Sequence, residues 1–399
     1  MAILIGWVIL ESCMLVQSVV IFRSLMNPLA LHGSIFGLAV LLNYFLPIDH
    51  PSESTWVILF LETFWFYLGS LTGLCVARLS GGRVDAGSLS GFELRMYTRA
   101  QRVATAVLAV YIAIFVTINF PRLVEALGPG LGKFSYVLYS FYYLKEIWYL
   151  PQVEGLGLLV ALLAGVSDGL SGKPRWKHNI WSVGLVMILA LLTGTRTILL
   201  VSLLLYAFAR YLVNFVRKAR RLGSAEVRSK KGRLWTELPV VIGAILVVAA
   251  VSSGRAEGEV RDLGLEYAER QLSVVDRVAL YVGGPIARLE HAVAEEQFRN
   301  FGPGAFTLGP FARFICRAIT SDEVCQELYP HIQPFSQIPF AWNTGTYIMD
   351  VWFDFGLAGV VLAAFSLGFT STFLFYQASR GRISAAIVGA FIMTMIAFS

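Results

Sequence analysis

The chain predicts an all-α, polytopic membrane protein. Its 399 residues are 56 % apolar and only 15 % charged, where a soluble domain carries roughly 25 % charged residues. The apolar residues fall in blocks of about twenty, the length at which a helix crosses a bilayer core. Lysine and arginine gather in a few connectors between those blocks, and such clustering sets the direction of threading.

Ten spans follow in order, over 3–22, 28–46, 55–77, 103–120, 153–166, 179–193, 195–213, 238–251, 346–376 and 383–398. No Lys or Arg precedes the first. A cleaved signal peptide carries a positive n-region and a small-residue cleavage site, so a retained helix with an outside N-terminus is expected. The connector 78–102 holds Arg78, Arg83, Arg95, Arg99 and Arg102, and 210–234 holds nine basic residues, among them Arg217, Lys218, Arg220, Arg221, Lys230 and Lys231. The positive-inside rule puts both in the cytoplasm, together with Lys173–Lys177, Arg380 and Arg382. The same threading leaves 252–342 outside, as one large extracytoplasmic loop between the last-but-two and last-but-one spans. The chain thus divides into transmembrane helices with basic cytoplasmic loops (1–251), the extracytoplasmic loop (252–342) and C-terminal spans (343–399). The net charge of +6 belongs to this arrangement and calls for no nucleic acid.

The stretch 134–150 is apolar and aromatic enough to be an eleventh span, but a crossing there would invert every later loop. It also carries Lys145 and Glu146. An interfacial or re-entrant helix fits better, with Tyr136, Tyr139, Tyr142, Trp148 and Tyr149 at headgroup depth. Neither an internal repeat nor an inverted pair of broken spans is visible, which argues against a secondary transporter.

The outer loop concentrates the chemistry. It holds Arg255, Arg261, Arg270, Arg277, Arg288, Arg299, Arg313 and Arg317, twelve carboxylates and no lysine. Cys316 and Cys325 stand close in sequence in an oxidising compartment, which predicts a disulfide; a metal pair would have only His331 nearby as a further ligand. Gly283-Gly284-Pro285 reads as a turn with proline at the first helical position. A helix from there to about Arg299 sets Arg288, His291 and Glu295 on one face. That face is either solvated, with ordinary i,i+4 pairs, or a cationic wall with an acid/base group beside it. Arg313 and Arg317 also share a face, and unpaired like charges at that spacing favour an anion between them. His331, between Pro330 and Pro334, is a candidate general base; Glu290 and His291 compete for that role.

Elsewhere, Thr193-Gly194-Thr195-Arg196-Thr197 joins two spans at the outer face. A helix N-terminus with hydroxyl caps and Arg196 makes an anion site, and snorkelling to the headgroups is the alternative. Arg122, after Asn119-Phe120-Pro121, is open to the same two readings. Glu11 and Glu62 lie in spans, where carboxylates are expensive, and no chemistry is assigned to them. Cys13 and Cys75 read as small core residues. His32, His50 and His178 give no signal, and Asp350 and Asp354 read as structural or channel-facing. The absence of a CxxC pair, Walker loop, HExxH or acidic cluster predicts neither metal nor cofactor.

Two stretches carry a family resemblance. Tyr281-Val282-Gly283-Gly284-Pro285-Ile286-Ala287-Arg288-Leu289-Glu290 resembles the segment of Wzy-type oligosaccharide repeat-unit polymerases (the O-antigen polymerase family) in which a Gly-Pro turn opens a loop helix. Asn343-Thr344-Gly345-Thr346-Tyr347 with Asp354-Phe355-Gly356-Leu357-Ala358-Gly359 is similar to that family's entry into a late transmembrane helix, and Gly194–Thr197 to a basic turn met there. The resemblance covers most of the chain in topology. The Arg-containing repeat spacings of some members are not evident, and the cysteine pair is not a general feature of the family.

The resemblance implies a GT-C-like, metal-independent glycosyltransferase of the bacterial inner membrane, working at its periplasmic face in lipopolysaccharide or related surface polysaccharide synthesis. Donor and acceptor would be polyprenyl-diphosphate-linked glycans, with membrane lipids, a chain-length regulator and a flippase as partners. Arg288, Glu290 and His331 would then be the catalytic candidates, and Arg196, Arg122, Arg313 and Arg317 the diphosphate-binding ones. An O-antigen ligase shares the chemistry and differs in its acceptor. A lipid-linked-glycan flippase has no need of an ordered outer loop.

Overall fold

The structure is a computed structural model that describes residues 2–22, 26–46, 48–80, 91–129, 137–138, 141, 147–148, 150, 152–172, 176–193, 196–222, 274–294, 304–307, 316, 319–320, 322–329, 336–337, 341–342 and 346–398. Its helices are α1 (Ala2–Phe22), α2 (Pro28–Phe45), α3 (Glu53–Leu79), α4 (Gly91–Leu127), α5 (Gln152–Ser171), α6 (Trp176–Thr193), α7 (Arg196–Leu222), α8 (Val274–Ala294), α9 (Asp322–Leu328), α10 (Tyr347–Ser379) and α11 (Ile383–Phe398). Among the described residues the one pair of strands is a two-residue antiparallel pair, β1 (Ser336–Gln337) with β2 (Ala341–Trp342). Seven helices, α1 to α5, α7 and α10, are long and apolar enough to cross a bilayer, and the apolar parts of α6 and α11 are shorter. The chain is helical and of multi-pass membrane character. The expected span 238–251 lies outside the described residues.

The chain forms two compact units, one of 1–79 and 265–373, the other of 80–264 and 374–398. In the first, α3 and α10 run in the same direction in close contact. Gly69 and Gly73 lie against the Phe365 and Phe369 carbonyls, and Gly368 lies against that of Phe66. Small residues spaced one turn apart let two backbones approach in this way, which is how helices associate inside lipid. Ser70 Oγ adds a hydrogen bond to the Gly368 carbonyl at 3.3 Å.

The stretch expected as one span over 346–376 is broken at Gly356, with φ 61° and ψ −154°. That backbone conformation is essentially restricted to glycine. Thr346 caps the preceding piece by accepting the Met349 N–H at 3.3 Å. Tyr347 bonds Glu62 while Phe365 lies against Gly69. An unbroken helix would separate Tyr347 and Phe365 by about 27 Å, against about 10 Å between Glu62 and Gly69. The break reconciles the two by turning the first piece off the α3 axis.

In the second unit α4 is longer than the expected 103–120, so Arg95, Arg99 and Arg102 stand on the helix and not in a connector. It also runs through Pro121, where an end was expected. Leu123 and Ala126, beyond the proline, are buried with Phe115, Leu138, Phe141 and Ile147, and that burial offsets the hydrogen bond proline removes. The described parts of 134–150 therefore pack on the end of α4. Asn119 holds them there, accepting the Trp148 N–H at 2.8 Å and donating to its carbonyl at 2.9 Å. Between α5 and α7 the Tyr206 hydroxyl donates to buried Asp168 at 2.7 Å.

Candidate functional site

The candidate site belongs to the first unit and is built around α8. The expected turn at Gly283-Gly284-Pro285 does not form: one helix runs through it, with Pro285 inside. The reason is tertiary. A Cβ on Gly283 would meet the Asn43 nitrogen at 2.8 Å, so glycine serves the crossing of α8 over the end of α2 and not a change of direction. Ile286, Leu289 and Ala292 are buried with Phe36, Val40 and Trp56 of α2 and α3.

Polar groups fasten the same contact. Glu290 Oε2 accepts the Ser52 N–H at 2.6 Å, and His291 Nε2 meets Asp49 Oδ2 at 2.7 Å. Asn43 Nδ2 donates to the Asp49 carbonyl at 3.0 Å, and His50 Nδ1 lies 3.2 Å from Asn43 Oδ1. Glu290 and His291, candidates for a base, thus tie α8 to the α2–α3 connector.

Arg288 is fully buried, at 0 % exposure. The expectation of a helix face in water therefore fails at this residue: its neighbours on α8 are core residues, and the side chain goes in with them. Burial pulls the guanidinium down to about 10 and the charge of Asp350 pulls it back up, so it stays a cation across ordinary pH. Asp354 has a different duty. Its carboxylate accepts the Phe306 and Thr307 N–H groups at 3.2 and 2.7 Å and the Thr307 hydroxyl at 2.6 Å, which holds the turn at 304–307 to α10.

One helical turn before Asp350, the Tyr347 hydroxyl donates to Glu62 Oε1. Glu62 is fully buried and its Oε1 also meets His32 Nε2 at 2.9 Å. His32 is stacked between Phe36 and Phe66, with ring centroids at 4.5 and 3.9 Å. Thr63 Oγ1 lies 3.3 Å from Glu62 Oε2 and 3.4 Å from Glu11 Oε1, and accepts the Trp7 indole N–H at 3.0 Å. Four helices contribute to this array: α1 with Trp7 and Glu11, α2 with His32, α3 with Glu62 and Thr63, and α10 with Tyr347. Sequence reasoning named both glutamates without assigning them a role, and missed His32 and Tyr347. The available signal was the coincidence of three ionisable residues in three successive spans.

The remaining predicted residues are dispersed. Arg122 belongs to the second unit, where it pairs with Glu125 at 2.8 Å and covers the Phe141 ring at 5.1 Å, its side chain 42 % exposed. Arg196 opens α7; its side chain lies outside the described residues, as do Arg313, Arg317 and His331. Cys316 and Cys325 are joined as a disulfide, Cα to Cα 5.8 Å. Cys13 and Cys75 stand on exposed helix faces and are not core residues, because the buried faces of α1 and α3 point the other way. Among the described residues no group of three or more His, Cys, Asp or Glu is placed to hold a metal ion.

No protein-family model, curated protein or solved structure matches the chain.

Proposed function

We propose that the chain is a membrane glycosyltransferase that polymerises polyprenyl-diphosphate-linked oligosaccharide repeat units at the outer face of the bacterial inner membrane. The observation that carries this reading is Arg288: a guanidinium fully out of water, on a helix that is not one of the seven apolar spans. The diphosphate leaving group gains one negative charge as the glycosidic bond breaks, spread over the oxygens of its terminal phosphate. A preorganised, desolvated guanidinium is the protein group best suited to that charge, because it grips two oxygens at once and acts at low dielectric. Donor entry has to uncover this side chain. In this reading α8 and 252–342 face the periplasm, with a chain-length regulator and a flippase as working partners.

The test is a chromosomal deletion examined for surface glycan. Loss of long chains with molecules capped by a single repeat retained supports a polymerase. Loss of both means a ligase or flippase, and unchanged long chains refute the reading.

A further inference from the structure

The array of Glu11, His32, Glu62, Thr63 and Tyr347 has more carboxylate oxygens than hydrogens to bind them. A threonine hydroxyl offers one hydrogen and two lone pairs. Trp7 Nε1 occupies one lone pair of Thr63, and the single Thr63 hydrogen faces both Glu62 Oε2 and Glu11 Oε1. Glu62 has two further donors, His32 Nε2 and the Tyr347 phenol. Glu11 has none to match: its Oε2 is buried with no hydrogen-bond partner among the described residues, and His32 Nδ1 stands 4.0 Å from its Oε1.

One added proton supplies the hydrogen that the two carboxylates beside Thr63 lack. If Glu11 carries it, Glu11 donates to the second Thr63 lone pair and Thr63 donates to Glu62. If Glu62 carries it, Thr63 turns its hydrogen to Glu11. The same five side chains thus have two arrangements around Thr63 that differ by the place of one proton, with Thr63 as the exchange point, while Glu11 Oε2 has no partner among the described residues in either. The surroundings keep that proton in. Phe36 and Phe66 enclose His32, and a Cβ on Gly33 would stand 2.6 Å from Glu11 Oε2. The one partly exposed member at the edge is Tyr347. Asp350 stands one turn further along α10, and its charge acts on Arg288.

We propose that Glu11, His32, Glu62 and Tyr347 form a proton-binding site buried among the spans, opening at Tyr347 and taking its proton from the acceptor hydroxyl during glycosyl transfer. The acceptor oxygen bonds to the anomeric carbon, and the bond from that carbon to the diphosphate oxygen breaks, its electron pair leaving with the diphosphate. The acceptor proton passes to the Tyr347 oxygen as the phenolic hydrogen passes to Glu62. Tyr347 touches the acceptor, while Glu62, Thr63, Glu11 and His32 hold the proton. The role rests on the transferase reading above; the existence of the site does not.

The experiment uses the full chain in lipid nanodiscs. Infrared difference spectra over a pH titration should contain a protonated-carboxyl C=O stretch that shifts in deuterium oxide and is lost or displaced in Glu11→Gln. Trp7 fluorescence should follow the same titration, through its bond to Thr63. With a lipid-linked repeat unit as substrate, Tyr347→Phe and Glu62→Gln should lower kcat by ~10²-fold or more with KM little changed, the range for a lost general base, and should move the pH profile. Tyr67→Phe, which removes only the hydroxyl that bonds Gln17, should change neither. No carboxyl band, or one untouched by both Glu11→Gln and Glu62→Gln, overturns the site. A wild-type kcat and pH profile in Tyr347→Phe and Glu62→Gln overturns its role. Wild-type protein that shows the band and transfers no glycan overturns the transferase reading and the role with it, and the band distinguishes that failure from failure of the site.

Discussion

Gly69 and Phe365 meet backbone to backbone: a Cβ on Gly69 would stand 2.1 Å from the Phe365 carbonyl oxygen. Backbone has no rotamer with which to yield, so α3 and α10 would have to part to admit even a methyl group. Gly69→Ala and Gly368→Ala should each destabilise the protein by about 1–3 kcal/mol, the range for overpacking. Gly37→Ala, facing nothing within 4 Å, should leave the melting temperature in detergent unchanged. Equal melting temperatures for all three would show that the two helices do not pack this way.

Arg288→Ala should abolish long chains, by on the order of 10²–10³ in rate for a lost donor to developing charge, with protein still present in the membrane. Arg288→Lys tests both geometry and pH. Burial disfavours the charged form, and it holds arginine at about 10. A buried ammonium starts from a lower value and falls further. The Arg288→Lys variant should therefore lose activity as pH rises, with its alkaline limb at lower pH than that of the wild type. Arg122→Ala, at an exposed local pair, should polymerise normally. Wild-type chain length in Arg288→Ala would remove this residue from the reaction.

Glu290→Ala should release α8 from the α2–α3 connector. Hydrogen exchange within 279–293 should speed up as the Ser52 bond is lost, a local effect of about 1–3 kcal/mol for a partly buried, charge-assisted bond. Exchange in α5, which belongs to the other unit, should not change. Uniform acceleration would mean global unfolding and not a lost fastening.

Replacing Cys316 and Cys325 by serine should cost about 2–3 kcal/mol, the loop-closure estimate for so short a ring. Alkylation of the unreduced Cys13→Ser, Cys75→Ser protein should find no free thiol. Two labelled thiols would refute the pairing.

Orientation is tested in the same cysteine-poor background. Ala294→Cys, exposed at the end of α8, should react with an impermeant maleimide added to spheroplasts. Leu79→Cys, at the far end of α3, should react only after the membrane is opened. The reverse pattern would invert the topology.

The spans were legible in sequence where nothing competed with apolar length. α1, α2 and α3 are apolar runs bounded by polar residues, and length alone defines them. The signals that misled are local patterns overridden by distant contacts. Gly283-Gly284-Pro285 has the composition of a turn, yet its first glycine answers to Asn43, 240 residues away. Pro121 reads as a helix end until Leu123 and Ala126 are seen to be buried beyond it. Gly356 looks like any glycine in a span, and the constraint that requires it lies in where Glu62 and Gly69 stand on another helix. Arg288 was legible as a candidate, but its burial was not, because it depends on what covers α8. The carboxylates of the buried array were legible singly. Their convergence on His32 and Tyr347 was not, since no sequence spacing relates four helices.

Tyr347 and Glu62 are separated by 285 residues, and Asp49 and His291 by 242. At ribosomal rates of ~5–20 residues per second, Glu62 is in the bilayer for roughly 15–60 s before Tyr347 is made. During that interval α1, α2 and α3 must hold Glu11, His32 and Glu62 in lipid with only one another as partners, where each ionised group costs several kcal/mol. The mutual bonds of Thr63, Glu62 and His32 let the nascent hairpin survive that wait. A chain truncated before α8 should accordingly insert its first three helices and yet remain a substrate for membrane quality-control proteases, because the last partner for its polar centre is synthesised near the end of translation.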